Sequence, residues 1–173
     1  MVDGDTCNEP AWGLVRGDGS HRPIADATKV AVTYFSNFLS ARFAPLTRDQ
    51  ERWQSWPNNP SSYTPNWQVY DVALDRPGNQ RVSALWNGDG TPLRVKVAKS
   101  GASARVVDRR GVERPALEQD GAWVVELPAA TAQFSPVDGP ADPEGYHFIG
   151  GAPVLLVEEG VDPARPVTAP RLA

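Results

Sequence analysis

Cysteine is nearly absent from this 173-residue chain: Cys7 stands alone. An internal disulfide needs two thiols and a multi-cysteine zinc site needs several, so both are excluded. Histidine is almost as scarce, with only His21 and His147, and neither lies in a nucleophile motif such as Gly-x-Ser-x-Gly. No apolar run approaches the roughly 20 residues that cross a bilayer as a helix, so no membrane partner is expected. The opening Met1-Val2-Asp3-Gly4-Asp5 has neither a basic nor an apolar region and does not read as a signal peptide, which leaves the compartment open. Basic residues are neither abundant nor clustered. Seventeen Lys and Arg stand against 21 Asp and Glu, for a net charge of −4. With no basic stripe, nucleic acid is not an expected partner.

Proline, glycine and tryptophan are present in quantity. Seventeen Pro and 15 Gly argue for many turns and against a mainly helical protein, while six Trp and a 40% hydrophobic content suit a packed core. Trp12-Gly13-Leu14-Val15 is short, apolar and suited to a buried strand, and Gly17-Asp18-Gly19-Ser20 is a turn. Pro23 suits a first helical turn. Ile24, Ala27, Ala31, Tyr34, Phe35 and Phe38 then recur at helical spacing, and Leu39 and Phe43 extend the stripe. The helix is expected to end at Ala44-Pro45, because the residue before proline avoids the α region.

From Trp67 the period falls to two. Strands are predicted over residues 68–74, 81–86, 93–97, 104–108, 112–113, 123–127, 146–149 and 153–157, separated by turns such as Arg109-Arg110-Gly111 and Asp120-Gly121. The predicted fold is therefore mainly β, an antiparallel β-sandwich preceded by one strand and one amphipathic helix. The expected organisation is a strand and helix over 1–44, a linker over 45–66, the sandwich over 67–157 and a disordered tail over 158–173.

The stretch Asn8-Glu9-Pro10-Ala11-Trp12-Gly13-Leu14-Val15-Arg16, then Asp18-Gly19-Ser20 and Arg22-Pro23, resembles the last strand, turn and helix entry of a clan-A-like (β/α)8-barrel glycoside hydrolase. The sandwich segment is similar to the β domain that follows such barrels, through Val69-Tyr70, Leu85-Trp86-Asn87, Val107-Asp108-Arg109 and Ile149-Gly150-Gly151-Ala152-Pro153. A whole barrel typically takes about 250 residues, more than this chain holds. The resemblance implies a non-catalytic C-terminal region that braces the barrel and flanks its carbohydrate cleft. The barrel domain is then the expected partner, joined by a poly- or oligosaccharide if the region also binds sugar. The alternative is an independent carbohydrate-binding β-sandwich module.

Glu9 follows an Asn, as the acid/base of a clan-A barrel does. It lies in a polar run rather than after an apolar strand, and it leads directly into the segment that resembles the eighth strand. It therefore reads as a loop residue, and no catalytic residue is assigned. Trp12, Trp53, Trp56 and Tyr63 are the candidate sugar-stacking residues, since flat aromatic faces suit pyranose rings. The competing reading is burial, Trp12 in the barrel core and the others where the linker crosses, because tryptophan is mostly buried. Asp138, Asp142, Glu144 and His147 crowd one loop. Calcium takes six to eight oxygen ligands, and such loops are more often solvated, so no metal and no cofactor are expected. Trp86 and Trp123 lie in alternating strands and read as core. Arg109-Arg110 reads as an exposed turn and Gly150-Gly151 as a bend.

Overall fold

Strands in this protein meet where its turn residues allow the chain to reverse. The computed structural model describes residues 14, 19–21, 23–47, 67–134, 146–149 and 151–173. One helix, α1 (Pro23–Phe35), precedes β1 (Ser40–Phe43) and β2 (Leu46–Thr47). β3 (Trp67–Arg76), β4 (Gln80–Asn87), β5 (Leu93–Ala98), β6 (Ser103–Val107) and β7 (Glu113–Pro115) follow. The chain continues through β8 (Leu117–Gln119), β9 (Ala122–Leu127), β10 (Thr131–Phe134), β11 (Tyr146–Ile149), β12 (Val154–Glu159) and β13 (Arg171–Leu172). Asp120 and Gly121 both take positive φ, 52° and 71°. That is the two-residue turn whose twist matches a hairpin, and it joins β8 to β9 with Gln119 opposite Ala122.

Among the described residues every strand pairing is antiparallel. A seven-stranded sheet runs β1-β3-β4-β12-β6-β7, with β2 also on β3, and a four-stranded sheet runs β13-β5-β9-β8. β10 and β11 form a separate pair. The two larger sheets face each other across Val69, Leu85, Val95, Val125, Leu127 and Leu156, all nearly or fully buried. The other face of the seven-stranded sheet offers Val82, Ala84, Val107, Leu155 and Val157, and α1 packs there through Tyr34, with Val30 and Phe35 half-buried. β4 is thus covered on both sides, which is why it is buried almost throughout.

Three expectations are corrected. The helix ends at Phe35 rather than at Ala44. Asn37 takes the left-handed conformation (φ 56°) that stops a helix, a role asparagine tolerates. Phe38, Leu39 and Phe43 continued the stripe in sequence, but residues 40–43 pair with β3 instead. The sheet therefore starts inside the segment assigned to the helix and continues into the expected linker at Leu46–Thr47. The expected disordered tail is also built into the fold. Glu158 and Glu159 complete β12, Arg171–Leu172 pairs with β5, and the Ala173 N–H donates to the Arg94 carbonyl at 2.9 Å.

Candidate functional site

The residues proposed for sugar stacking, Trp12, Trp53, Trp56 and Tyr63, lie outside the described residues, as do Glu9, Asp138, Asp142 and Glu144. Among the described residues, Trp123 is buried between the sheets, as expected of a core tryptophan. Trp86 is half-buried on the outer face, where its ring stacks on Tyr70 at 4.8 Å and 8°. Two rings stacked face to face do not lie side by side as a flat platform for a pyranose. Arg109 and Arg110 are exposed in a β6–β7 turn whose Gly111 has φ 82°. The turn is held by Asp108, whose Oδ1 accepts the N–H groups of Arg110 (2.8 Å) and Val112 (3.0 Å). Burial pushes the Asp108 pKa up, but these two donors and nearby arginines outweigh it and hold the carboxyl below its ordinary value.

The outer face carries a polar belt that fixes α1. Arg76 donates to Gln80 (2.6 Å), Gln80 donates to Glu159 (2.8 Å), and Arg105 Nη1 donates to the same Glu159 oxygen (2.8 Å). Arg105 Nε is also ion-paired with Glu113 Oε2 at 3.1 Å, and the Tyr34 hydroxyl donates to Glu113 Oε1 at 2.5 Å. Burial and the acceptor Glu113 raise the Tyr34 pKa, so the phenol remains a donor.

α1 is apolar over more of its surface than the sheet covers. At about 100° per residue, the arc from Val30 round to Val32 spans about 200° and contains Ile24, Ala27, Ala31, Tyr34 and Phe35, with the polar Thr28 between Ile24 and Val32. A helix buried on one side needs an apolar stripe of about 100°. Val30, Tyr34 and Phe35 meet the sheet, whereas Ile24, in the first turn, and Val32, at the far edge of the arc, remain 58% and 64% exposed. Just beyond the helix, Phe38 and Leu39 are 51% and 72% exposed.

Between the sheets, the end nearest the β3–β4 hairpin is polar. Glu158 is buried and accepts four hydrogen bonds, from Ser100 N (2.8 Å), Ser100 Oγ (2.7 Å), Gly101 N (2.9 Å) and Trp123 Nε1 (2.7 Å). Three of these reach Oε1 and one reaches Oε2, so both oxygens are satisfied. Residue 101 must be glycine for this approach, because a Cβ there would lie 2.5 Å from the Glu159 carbonyl oxygen. Asp71 is equally buried, yet neither of its oxygens has a hydrogen-bond partner. Burial pushes its pKa up to about 7; the Ser83 hydroxyl and Arg81 lower it only in part, and the Glu158 charge raises it. Arg81 is committed elsewhere, with Nε on Asp75 Oδ1 at 2.7 Å.

Comparison with protein-family models, curated proteins and solved structures gives no match for this chain.

Asp71 and Glu158 line one cavity of about 10 Å³, room for a single water and none for a sugar ring. The larger hollow, about 620 Å³, opens between β6–β7 and β5–β9. Its floor is Val106, Leu127 and Val154, its charged rim includes Arg94 and Glu126, and no aromatic ring is among its described lining residues. Among the described residues no group of three or more His, Cys, Asp or Glu is placed to hold a metal. The exposed part of α1, by contrast, is apolar, with Ile24 and Val32 facing solvent. Sequence reasoning found most of it through Ile24 and Phe38, but missed Val32, which lies off the stripe. It also missed Asp71 and Glu158, which read as ordinary polar residues of a strand and a tail.

Proposed function

We propose that this chain is the non-catalytic C-terminal region of a glycoside hydrolase, and that the uncovered flank of α1 seats against the (β/α)8 barrel of that enzyme. The observation that carries this reading is the breadth of the apolar arc of α1. Tyr34 is buried against the sheet with Phe35 half-buried, while Ile24 in the first turn and Val32 at the edge of the arc face solvent. A helix apolar on more than one flank is suited to a position between two bodies. The resemblance of Trp12–Arg16, Asp18-Gly19-Ser20 and Arg22-Pro23 to the last barrel unit supplies the identity of the second body, since those residues lead directly into α1. In this arrangement the sheets brace the barrel from outside, and the acid and nucleophile belong to the barrel.

Light scattering and apolar-dye fluorescence on the purified chain test the reading. Self-association or dye binding that grows with concentration is expected, because α1 lacks its second partner. A monodisperse monomer that binds no dye would sink it. The reading frame upstream offers an independent check: a barrel lacking its own last βα unit is expected there, and a stop codon followed by a promoter would oppose the proposal.

A further inference from the structure

The C-terminal segment covers the one buried carboxylate among the described residues that lacks a hydrogen-bond partner. Pro166, Val167 and Thr168 close the cavity into which Asp71 faces. The charged groups around Asp71 come from three strands: Arg81 from β4, Glu158 from β12 and Asp75 from β3 itself. Ser83 and Ser100 add hydroxyls, and the covering residues 166–168 carry no ionisable side chain. Glu158 takes its four hydrogen bonds from Ser100, Gly101 and Trp123, none of them from Arg81. Asp75 has its own, from Arg81 Nε (2.7 Å), Ser40 Oγ (2.9 Å) and Arg42 Nη1 (2.9 Å). Asp71 alone has none.

Arg81, which lines the same cavity, reaches the cover. Its Nη2 donates to the carbonyl of Arg165 at 3.2 Å, the longest of its contacts. The segment has few other ties. Arg165 Nη1 donates to the Lys99 carbonyl (2.8 Å), β13 pairs over two residues, and only Pro170 is fully buried between 162 and 173. Segments with few apolar anchors open at low free energy, without global unfolding.

We propose that residues 162–173 form a proton-controlled latch, closed over Asp71 while its carboxyl is neutral and released when that carboxyl ionises. An ionised Asp71 needs donors. The Ser83 hydroxyl can turn to supply one, Arg81 another by leaving the Arg165 carbonyl, and water supplies the rest once residues 166–168 lift. The neutral form makes no such demand, and the cover stays in place. Release exposes the polar end of the inter-sheet space and frees the edge of β5 that β13 occupies.

Hydrogen–deuterium exchange of the full chain from pH 4 to pH 9 tests this, with rates corrected for intrinsic chemical exchange. In the open state Asp71 titrates normally, so the opening constant of the 162–173 peptide should rise about tenfold per pH unit between about pH 4 and 7, then level off. The β12 peptide should not follow. Asp71→Asn, neutral at every pH, should hold the segment closed with a flat profile. A wild-type profile that is flat, or one that Asp71→Asn leaves unchanged, overturns the proposal. Should Asp71→Asn fail to fold, the wild type decides by NMR. The carboxyl carbon of Asp71 and the amide of Thr168 must titrate with one midpoint, and separate midpoints overturn the latch.

Discussion

The two faces of the seven-stranded sheet are covered unequally. On the inner face a second sheet buries Val69, Leu85 and Leu156 completely. On the outer face a 13-residue helix buries Val82 and Val157 but leaves Phe35 and Trp86 half-buried. Geometry explains the difference. Strands lie about 4.8 Å apart, so the six-strand path β1-β3-β4-β12-β6-β7 is about 24 Å wide. A helix with its side chains is about 10–12 Å across and covers only part of that. Phe43, on the edge strand β1, is 45% exposed. The inner core is complete in itself, whereas the outer one has room for more cover.

The largest expected effect comes from the inner face. Leu156→Ala should cost about 2–5 kcal/mol, measured by urea unfolding, because neither sheet can collapse into the cavity. Val157→Ala, its neighbour pointing outward, should cost about 1.5 kcal/mol, the transfer free energy of the groups removed, because α1 can settle into the space. Equal costs for the two would mean that α1 is held as rigidly as a sheet. Smaller still is Tyr34→Phe, which keeps the packing of the ring but removes the donor to Glu113. About 1 kcal/mol is expected, with the loss confined to α1 in hydrogen exchange. A loss spread evenly over both sheets would show that the belt of Arg76, Gln80, Glu159, Arg105 and Glu113 supports more than the helix.

The inner face was also the more legible in sequence. Val95 and Val97 alternate with Arg94 and Lys96, Asp120-Gly121 marks a hairpin, and β5 and β9 fall where that pattern puts them. The short edge strands were not legible. β1, β2, β8, β10 and β13 have two to four residues each, too few for a period to show. The end of the helix was missed because Phe38, Leu39 and Phe43 prolong a stripe that Asn37 interrupts through backbone conformation alone. Glu158 was missed for a different reason. A carboxylate at the end of an apolar run reads as the exit into solvent, and only the tertiary placement of Ser100, Gly101 and Trp123 makes burial tolerable. The same holds for Asp71, whose lack of donors is invisible without coordinates.

The smallest effect on stability tests the outer face most directly. Ile24 and Val32 are more than half exposed, so Ile24→Ser and Val32→Ser remove little buried area. Each should change folding stability by less than about 0.5 kcal/mol, as surface substitutions usually do. If their flank of α1 is a docking surface, the double substitution should nevertheless lower dye binding and shift light scattering toward the monomer. A stability loss as large as that of Val157→Ala would mean that these side chains are already packed within this chain. No change in association would move the sticky surface elsewhere, with Phe38, Leu39 and Phe43 the next residues to substitute. Charge sharpens the test further. Asp26 and Lys29 lie outside the apolar arc, so Thr28→Lys, which places a cation between Ile24 and Val32, should block docking while leaving the belt that holds Tyr34 intact.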